Sequence, residues 1–327
     1  KNWDYRYMWV RDSSFTVDAL MELGLHEEVQ SAVSFLLSAL RRTAPALHVF
    51  YTLSGDVPGG QSELDAPGYR DSRPVRAGNG AATQTQLGTF GDLFDTMWHY
   101  VRNGHRLDPP TGRLLAELAD RCCDIWRRPD AGIWELHQNR QYTFSKMGCW
   151  VALDRATKLA AAGAVETGHA QRWRTEADHI RSWVNAHCWS TEKNSYTFYA
   201  GSDNLDAATL LAGRTGFDRS DRLAGTVAAV RRELADGPLV YRYTGMSTEE
   251  GAFLACSFWL VSALVHLGRL DEAAVMMDDA TDLANDVGLL SEQMDPATGG
   301  MLGNHPQGLS HLALINAATT YTAAARR

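Results

Sequence analysis

The sequence predicts an all-α fold in which helices pair as hairpins and close into a ring, an (α/α)6 toroid. Apolar residues recur at the i, i+3, i+4, i+7 spacing of an amphipathic helix in eleven segments of the 327-residue chain. Six of these segments follow a long or aromatic-rich connection and five follow a short turn. One further outer helix upstream would complete six inner and six outer helices. We therefore expect residues 1–327 to form a single domain that is truncated at its N-terminus and lacks its first outer helix.

Each predicted helix has a place in this ring. The expected inner helices are 12–24, 81–103, 143–163, 206–212, 249–268 and 306–325, and the expected outer helices are 26–42, 112–127, 169–187, 219–234 and 270–287. Segment 249–268 is apolar almost all round, as an inner helix should be, whereas 219–234 has only a thin apolar stripe. Glycines that favour a left-handed helix end before an antiparallel partner are Gly24, Gly163, Gly213 and Gly268. Short strands are expected at 49–51, 196–199 and 239–241.

The long connections contain most of the residues that could carry chemistry. They hold several Trp, Tyr and carboxylate side chains and extend over 43–80, 128–142, 188–205, 235–248 and 288–305. Loops above about 12 residues in a compact domain are usually functional or disordered, and aromatic-rich loops are seldom disordered. We therefore expect one functional face.

The composition restricts the class of partner. A formal net charge of −8 and a pI near 5.8 disfavour nucleic acid and leave a neutral ligand as the better fit. No apolar run approaches the roughly 18 residues of a membrane span, so no membrane partner is expected. The chain opens at Lys1 without an initiator Met or a secretory leader, which indicates a fragment, and we expect a cytoplasmic location.

The cysteines and histidines argue against a metal centre. The five cysteines are odd in number and lie mostly in apolar, helix-like stretches, which favours buried free thiols over disulfides. The sequence has neither a C-x2-C pair nor an H-E-x-x-H motif. We expect no metal and no cofactor.

An aromatic-rich segment precedes the first predicted helix and reads WDYRYMWVRD, from Trp3 to Asp12. Aromatic faces cover the C–H surface of a sugar ring, and charged bidentate groups hold neighbouring hydroxyls. The alternative is structural: Asp12 caps the helix and Arg11 pairs with it. The segment alone leaves both interpretations open.

Two glutamates lie beside apolar residues in the long loops. Glu135 is enclosed in the run AGIWELH, and apolar surroundings disfavour a carboxylate anion, as a general acid requires. An exposed surface glutamate is equally compatible with this run. Glu292 follows the run GLLS, whereas Asp295 precedes a proline and glycines and is interpreted as a turn residue. Two carboxyls with an aromatic lining suit acid/base hydrolysis of an acetal, and neither G-x-S-x-G nor a phosphate-binding loop competes.

Eight segments, in order, resemble glycoside hydrolase family 15, which comprises glucoamylases, glucodextranases and bacterial trehalases. They read NWDYRYMWVRDSSFTVDAL, GYRDSRPVRAGN, GIWELHQNRQYTFSKMGCWVALDRA, GSDNLDAATLL, LVYRY, EEGAFLACSFWLVSAL, LANDVGLLSEQMDPATGG and GNHPQGLSHLALINAA. The resemblance extends over nearly the whole chain. It implies a catalytic domain with the six-hairpin (α/α)6 fold, release of glucose from the end of an α-glucoside, and inversion at the anomeric carbon.

The resemblance also implies roles for individual residues. Glu135 corresponds to the general acid and Glu292 to the general base, and an inverting pair has carboxyls roughly 6.5–9.5 Å apart to admit a water. The residues that correspond to the pocket for the terminal glucose are Trp9, Arg11 and Asp12, with Tyr5 near the attacking water. Further expected sugar contacts are Tyr69, Arg76, Trp134 and Arg242.

Both the class of reaction and the substrate have alternatives that the sequence leaves open. Toroids of this kind also serve polysaccharide lyases and sugar epimerases, so the fold alone does not determine the chemistry. The other alternative is a non-enzymatic carbohydrate-binding or regulatory protein that has kept the toroid. The substrate is trehalose, an α-1,4-glucan or an α-1,6-glucan, and we favour trehalose or short oligosaccharides because no starch-binding module is present. Gly88 and His305 depart from the residues that bacterial members often carry, and both departures concern the aglycone side of the site.

Overall fold

The computed structural model describes residues 2–326, a part of the chain in which helices predominate. The α-helices, in chain order, are α1 (Val10–Glu22), α2 (His26–Thr43), α3 (Gly88–Arg102), α4 (Pro109–Ile125), α5 (Thr143–Ala161), α6 (Ala170–His187), α7 (Ala212–Thr215), α8 (Asp221–Glu233), α9 (Leu254–His266), α10 (Leu270–Thr281) and α11 (Gly308–Ala325). Short 3-10 turns are Tyr69–Asp71, Gly80–Thr83, Ala207–Leu211 and Met246–Thr248.

The strands are two or three residues long and form small antiparallel sheets. They are β1 (Tyr7–Trp9), β2 (Phe50–Thr52), β3 (Ser62–Leu64), β4 (Val75–Ala77), β5 (Trp189–Ser190), β6 (Ser195–Tyr196), β7 (Ala235–Asp236), β8 (Leu239–Val240), β9 (Ala252–Phe253), β10 (Gln293–Met294) and β11 (Met301–Leu302). β1 pairs with β2, β3 with β4, β5 with β6 and β7 with β8, while β10 lies between β9 and β11. Most strands lie in the long connections and give those loops a fixed path.

The chain divides into two compact units, Lys1–Arg181 and Ser182–Arg327, and the division falls within α6. In the first unit α1 packs on α2 and α3, and α5 packs on α3 and α4. In the second unit α9 packs on α8, α10 and α11. The single domain predicted over residues 1–327 stays a prediction.

Glycines allow α3 and α5 to approach closely. A β-carbon added at Gly91 would lie 2.6 Å from the main-chain oxygen of Gly148, and one added at Gly148 would lie 2.7 Å from the α-carbon of Gly88. Both distances are shorter than a carbon contact allows, so larger residues would push the helices apart. Gly88, which departs from the bacterial pattern, therefore lies at this helix crossing and beside Phe144.

The burial of α9 and α8 follows their apolar patterns. Every residue of α9 from Leu254 to Val265 is buried, as predicted for an inner helix. The outer helix α8 buries one face, with Leu223, Val227 and Val230 among its buried residues. Within residues 2–326, no helix combines the length and the apolar composition needed to cross a membrane.

Two predicted inner helices begin later than expected. Predicted helix 81–103 is split into a 3-10 turn and α3. The amide of Ala81 bonds to the Asn79 side chain, and the Thr85 oxygen and the Leu87 amide bond to residues 130–131 of another loop. Predicted helix 249–268 begins only at Leu254, because the preceding residues pair with β10 as strand β9.

Other predicted boundaries were wrong by a few residues or in the type of element. Predicted helix 206–212 is a 3-10 turn followed by the four-residue α7. Gly24, Gly163 and Gly268 are left-handed as expected, but Gly216 rather than Gly213 has this conformation after α7. Helix α4 starts before residue 112, because the Asp108 carboxylate accepts the amide of Thr111 at 2.7 Å.

The five cysteines are buried free thiols, which confirms that prediction. Burial raises the pKa of the Cys123 thiol to about 12, so this group is protonated at neutral pH. A thiol in this state is a poor nucleophile.

A polar cluster links α1, α3 and α5. His99 Nδ1 lies 2.5 Å from Asp18 Oδ1, and Arg155 Nε donates to Asp95 Oδ1 at 2.8 Å. The ligand-type atoms of Asp18, Asp95 and His99 lie within 4.8 Å of one another. The Arg155 guanidinium supplies positive charge to this cluster, and the expectation of no metal stays a prediction.

Replacing Gly91 by alanine should destabilise the first unit, because the new methyl group would overlap the Gly148 main chain. Overpacking of this kind costs about 1–3 kcal/mol, which urea denaturation would measure. Gly308, in the first turn of α11, is the matched control because a β-carbon there meets nothing within 4 Å. Equal stability of Gly91→Ala and Gly308→Ala would contradict the close crossing.

His266 should make the protein less stable in mild acid. Burial, together with the charges of Arg219 and Arg214, lowers the pKa of His266 to about 4 from 6.5. Its Nε2 has no hydrogen-bond partner within residues 2–326. Between these values the unfolded chain binds a proton that the folded chain does not, so stability falls as the pH is lowered. The loss from pH 7 to pH 5 should be about 2 kcal/mol.

The measurement is urea denaturation at both pH values. His266→Phe should remove most of this pH dependence, whereas the exposed His26, changed to Gln, should leave it intact. An unchanged pH dependence in His266→Phe would rule out His266 as its source.

Candidate active site

The residues predicted to form the site fall into two sets, one in each unit. The first set, in Lys1–Arg181, consists of Tyr5, Trp9, Arg11, Asp12, Tyr69, Arg76, Trp134 and Glu135. The second set, in Ser182–Arg327, consists of Arg242 and Glu292. Each set is built by short strands and loop hydrogen bonds.

Strand β1 positions Trp9. Trp9 pairs in register with Phe50 of β2, and the centroids of the two rings are 4.6 Å apart. The buried indole donates its N–H to Glu135 Oε1 at 2.8 Å. The N-terminal strand thus contacts the predicted acid directly.

The loop that carries Glu135 is closed at its base. Asp130 and Arg140 exchange main-chain hydrogen bonds of 3.0 and 2.9 Å. Inside the loop Trp134 is buried and Glu135 is half-buried, so Glu135 is not the exposed loop glutamate of the alternative interpretation. Glu135 has a φ of +58°, a left-handed conformation that costs a non-glycine residue on the order of 1–3 kcal/mol.

Hydrogen bonds of buried polar groups stabilise this loop, and the sequence analysis did not predict these groups. Asp130 Oδ2 accepts hydrogen bonds from the Leu87 amide at 2.8 Å and from Ser145 Oγ at 2.7 Å. The fully buried Lys146 donates to the main-chain oxygens of Trp126 and Arg128 at 2.5 and 2.7 Å. Burial raises the pKa of the Asp130 carboxyl, although its hydrogen bonds oppose this shift. The available signal was the adjacent Ser145 and Lys146 between apolar Phe144 and Met147.

Arg11 joins Asp12 to the same loop. Its Nε and Nη2 donate to the two Asp12 oxygens at 3.3 and 3.2 Å, and Nη1 donates to the Ile133 oxygen at 3.0 Å. Burial alone would lower the pKa of Arg11, but the charges of Asp12 and Glu135 outweigh it and raise the pKa. The structural alternative is half right: Arg11 pairs with Asp12, but α1 starts at Val10 and Asp12 does not cap it.

Tyr5 is exposed, whereas Arg76 is half-buried. Tyr5 is 37% exposed, with its ring centroid 5.8 Å from that of Trp9. The Arg76 guanidinium stacks 4.4 Å from the ring centroid of Trp3. Its Nε and Nη1 are buried without a hydrogen-bond partner among the described residues, and Nη2 lies 3.5 Å from Glu63. Tyr69 is 73% exposed in a 3-10 turn.

Glu292 is positioned by the sheet of β9, β10 and β11. Its amide donates to the Asn304 oxygen at 2.8 Å, and its carbonyl accepts from the Leu254 amide at 3.1 Å. Its side-chain Oε2 accepts from the Asn304 amide at 3.0 Å. A β-carbon at Gly303, where φ is +70°, would lie 2.5 Å from that Oε2. Glycine at 303 therefore makes room for the Glu292 carboxyl.

Glu250 links Arg242 to the same sheet. Arg242 Nε donates to Glu250 Oε1 at 2.5 Å, and Gln293 Nε2 donates to Glu250 Oε2 at 3.3 Å. Burial would lower the pKa of Arg242, but Glu250 outweighs it and raises the pKa. The sequence did not single out Glu250, because the apolar residues that follow it placed it at the start of predicted helix 249–268.

Two further residues of the last loop have simpler roles. Asp295 accepts from the Ala297 amide at 3.0 Å and from Thr298 Oγ1 at 2.7 Å, which confirms it as a turn residue. His305 is exposed, with its Nε2 3.4 Å from Asn285 Nδ2.

Solved structures define the fold. A glycosidase in complex with glucose has a TM-score of 0.79 and 20% identity, and the match covers 97% of this chain and 88% of that one. A bacterial glucoamylase complexed with acarbose has a TM-score of 0.79 and 15% identity, over 98% of this chain and 49% of that one. These matches confirm the predicted all-α (α/α)6 fold, which is the fold of these glycosidases.

The chain belongs to the glycosyl hydrolases family 15, whose sequence profile matches residues 1–319. The trehalase of Mycolicibacterium smegmatis is 39% identical over 330 residues, which cover 97% of this chain and 49% of the trehalase. The chain thus spans about half the length of this curated relative.

Proposed function

We propose that the chain hydrolyses the terminal α-glucosidic bond of a small glucoside, with Glu135 as general acid, Glu292 as general base and inversion at the anomeric carbon. The preferred substrate is trehalose, and short α-1,4 or α-1,6 gluco-oligosaccharides are the other candidates. The names of the curated relatives favour trehalose.

The contact between Trp9 and Glu135 carries this proposal. An indole nitrogen can only donate, so Glu135 Oε1 acts as an acceptor, and the proton that a general acid delivers belongs on Oε2. Arg11, bonded to both Asp12 and the Ile133 oxygen, provides donors beside this carboxyl. An aromatic ring and bidentate polar groups next to a carboxyl are the components of a glucose-binding pocket.

The proposed reaction needs only proton transfers between carboxyls, substrate and water. Glu135 protonates the glycosidic oxygen while the bond from that oxygen to the anomeric carbon breaks. Water attacks the opposite face of the sugar, and Glu292 takes its proton. Tyr5, Trp9, Arg11, Asp12 and Trp134 would hold the glucose that is attacked. Arg242, Arg76 and Tyr69 would contact further parts of the substrate.

Hydrolysis of trehalose should release β-glucose and α-glucose in equal amounts at early times. Inversion converts the attacked glucose to the β anomer, while the leaving glucose keeps its α configuration. Proton NMR on the purified protein, read before mutarotation, would measure both anomers. Release of α-glucose alone would show retention, and an unsaturated sugar that absorbs in the near ultraviolet would show a lyase. A panel with maltose and isomaltose would rank the substrates.

Replacing Glu135 or Glu292 by glutamine should lower turnover by about 100-fold or more, because each change removes one proton-transfer group. Trehalose binding should persist, since glutamine keeps the shape of the side chain; calorimetry on the inactive variants would measure it. The exposed Glu192, changed to Gln, is the control and should keep full turnover. A Glu135→Gln variant as active as Glu192→Gln would remove Glu135 from the mechanism.

A further inference from the structure

A glutamine from a distant segment holds the two peptide groups that follow the α-carbon of Glu135. Gln84 Nε2 donates to the main-chain oxygen of Glu135 at 3.2 Å and to that of Leu136 at 3.3 Å. Gln84 lies between the 3-10 turn Gly80–Thr83 and α3. One amide that bonds to two consecutive carbonyls fixes the direction of both peptide planes.

Glu135 needs such support because its backbone is left-handed, with a φ of +58°. Residues with a β-carbon rarely adopt this conformation and keep it only where their surroundings enforce it. Relaxation to a negative φ would redirect the bond from the α-carbon to the β-carbon. The carboxyl would then leave its position 2.8 Å from Trp9 Nε1.

Gln84 is itself held in place. Its Oε1 accepts from Gln86 Nε2 at 3.2 Å, and its main-chain amide donates to the Ala81 oxygen at 3.0 Å. The carbonyl of the next residue, Thr85, accepts from the Ala131 amide at 2.9 Å. The segment around Gln84 therefore runs along the loop that carries Glu135 and bonds to it at more than one point.

We propose that Gln84 is a positioning residue for the general acid. Its amide keeps Glu135 in the left-handed conformation that directs the carboxyl towards the leaving oxygen. Gln84 acts through Glu135 rather than on the sugar, and this inference rests on the proposed function. Loss of Gln84 should therefore weaken protonation of the leaving group more than it weakens binding.

The test compares two substrates that differ in their need for a proton. Trehalose needs the acid, because its leaving group is an alcohol. α-Glucosyl fluoride needs it far less, because fluoride leaves as a stable anion while water replaces it and the base takes the proton from water. Gln84→Ala should lower kcat for trehalose by about 10-fold or more. The KM for trehalose and the turnover of the fluoride should stay within about threefold of wild type.

Gln141 provides the matched control. Gln141 lies in the connection 128–142 that also contains Glu135. Its Nε2 donates to the Arg127 oxygen at 2.7 Å, away from the two peptide groups that Gln84 holds. Gln141→Ala should leave the ratio of the two activities unchanged, whatever its effect on thermal stability. Should Gln84→Ala fail to fold, Gln86→Ala releases the Gln84 amide without removing it and should lower trehalose turnover selectively, to a smaller extent.

The possible outcomes distinguish a failure of this inference from a failure of the proposed function. Selective loss of trehalose turnover in the Gln84 or Gln86 variant supports the inference. Parallel loss of both activities, or unchanged trehalose turnover, overturns it while the proposed function stands. A wild-type protein that hydrolyses neither trehalose nor the fluoride contradicts the proposed function itself.

Discussion

The hydrogen bond from the Trp9 indole to Glu135 joins two segments that are more than a hundred residues apart in the sequence, and the candidate site of the first unit depends on it. Trp9 can donate because β1 pairs with β2 and buries the ring against Phe50. Glu135 can accept because the loop is closed at Asp130 and held by buried donors. A carboxyl at the tip of a free loop would sample many orientations, and the entropy of fixing it would then oppose each reaction cycle.

The second unit fixes Glu292 by another means. Its Oε2 faces the amide of Asn304, and a backbone amide cannot rotate away as a side chain can. The space for this contact comes from Gly303, where a β-carbon would overlap the carboxyl. Glu250 also links Arg242 to Gln293, the residue after Glu292, because it accepts a hydrogen bond from each. Short sheets and main-chain donors thus hold the Glu292 carboxyl in place, as the side chains of Trp9 and Gln84 hold Glu135.

The apolar pattern predicted the helices well where burial alone determines them. Helix α9 is buried all round and was predicted as an inner helix from its composition. The pattern failed at residues 84–87 and 249–253, where main-chain hydrogen bonds to distant loops replace helical ones. No window of sequence contains the partner of Gln84, which lies 51 residues away. For the same reason the motif of aromatic and charged residues pointed to Trp9, Arg11 and Glu135 but not to the residues that hold them.

Two residues of the candidate site, Glu135 and Gly303, have a left-handed backbone, and only Glu135 carries strain. At Gly303 no side chain is needed, so glycine adopts the positive φ without cost and leaves room for Glu292. At Glu135 the side chain is the proposed general acid, a role that glycine could not fill, so the strain remains. Strain at such a position persists only if the rest of the loop enforces it. The hydrogen bonds that Gln84 and Arg11 donate to carbonyls of this loop therefore follow from the choice of a glutamate in a conformation that suits glycine.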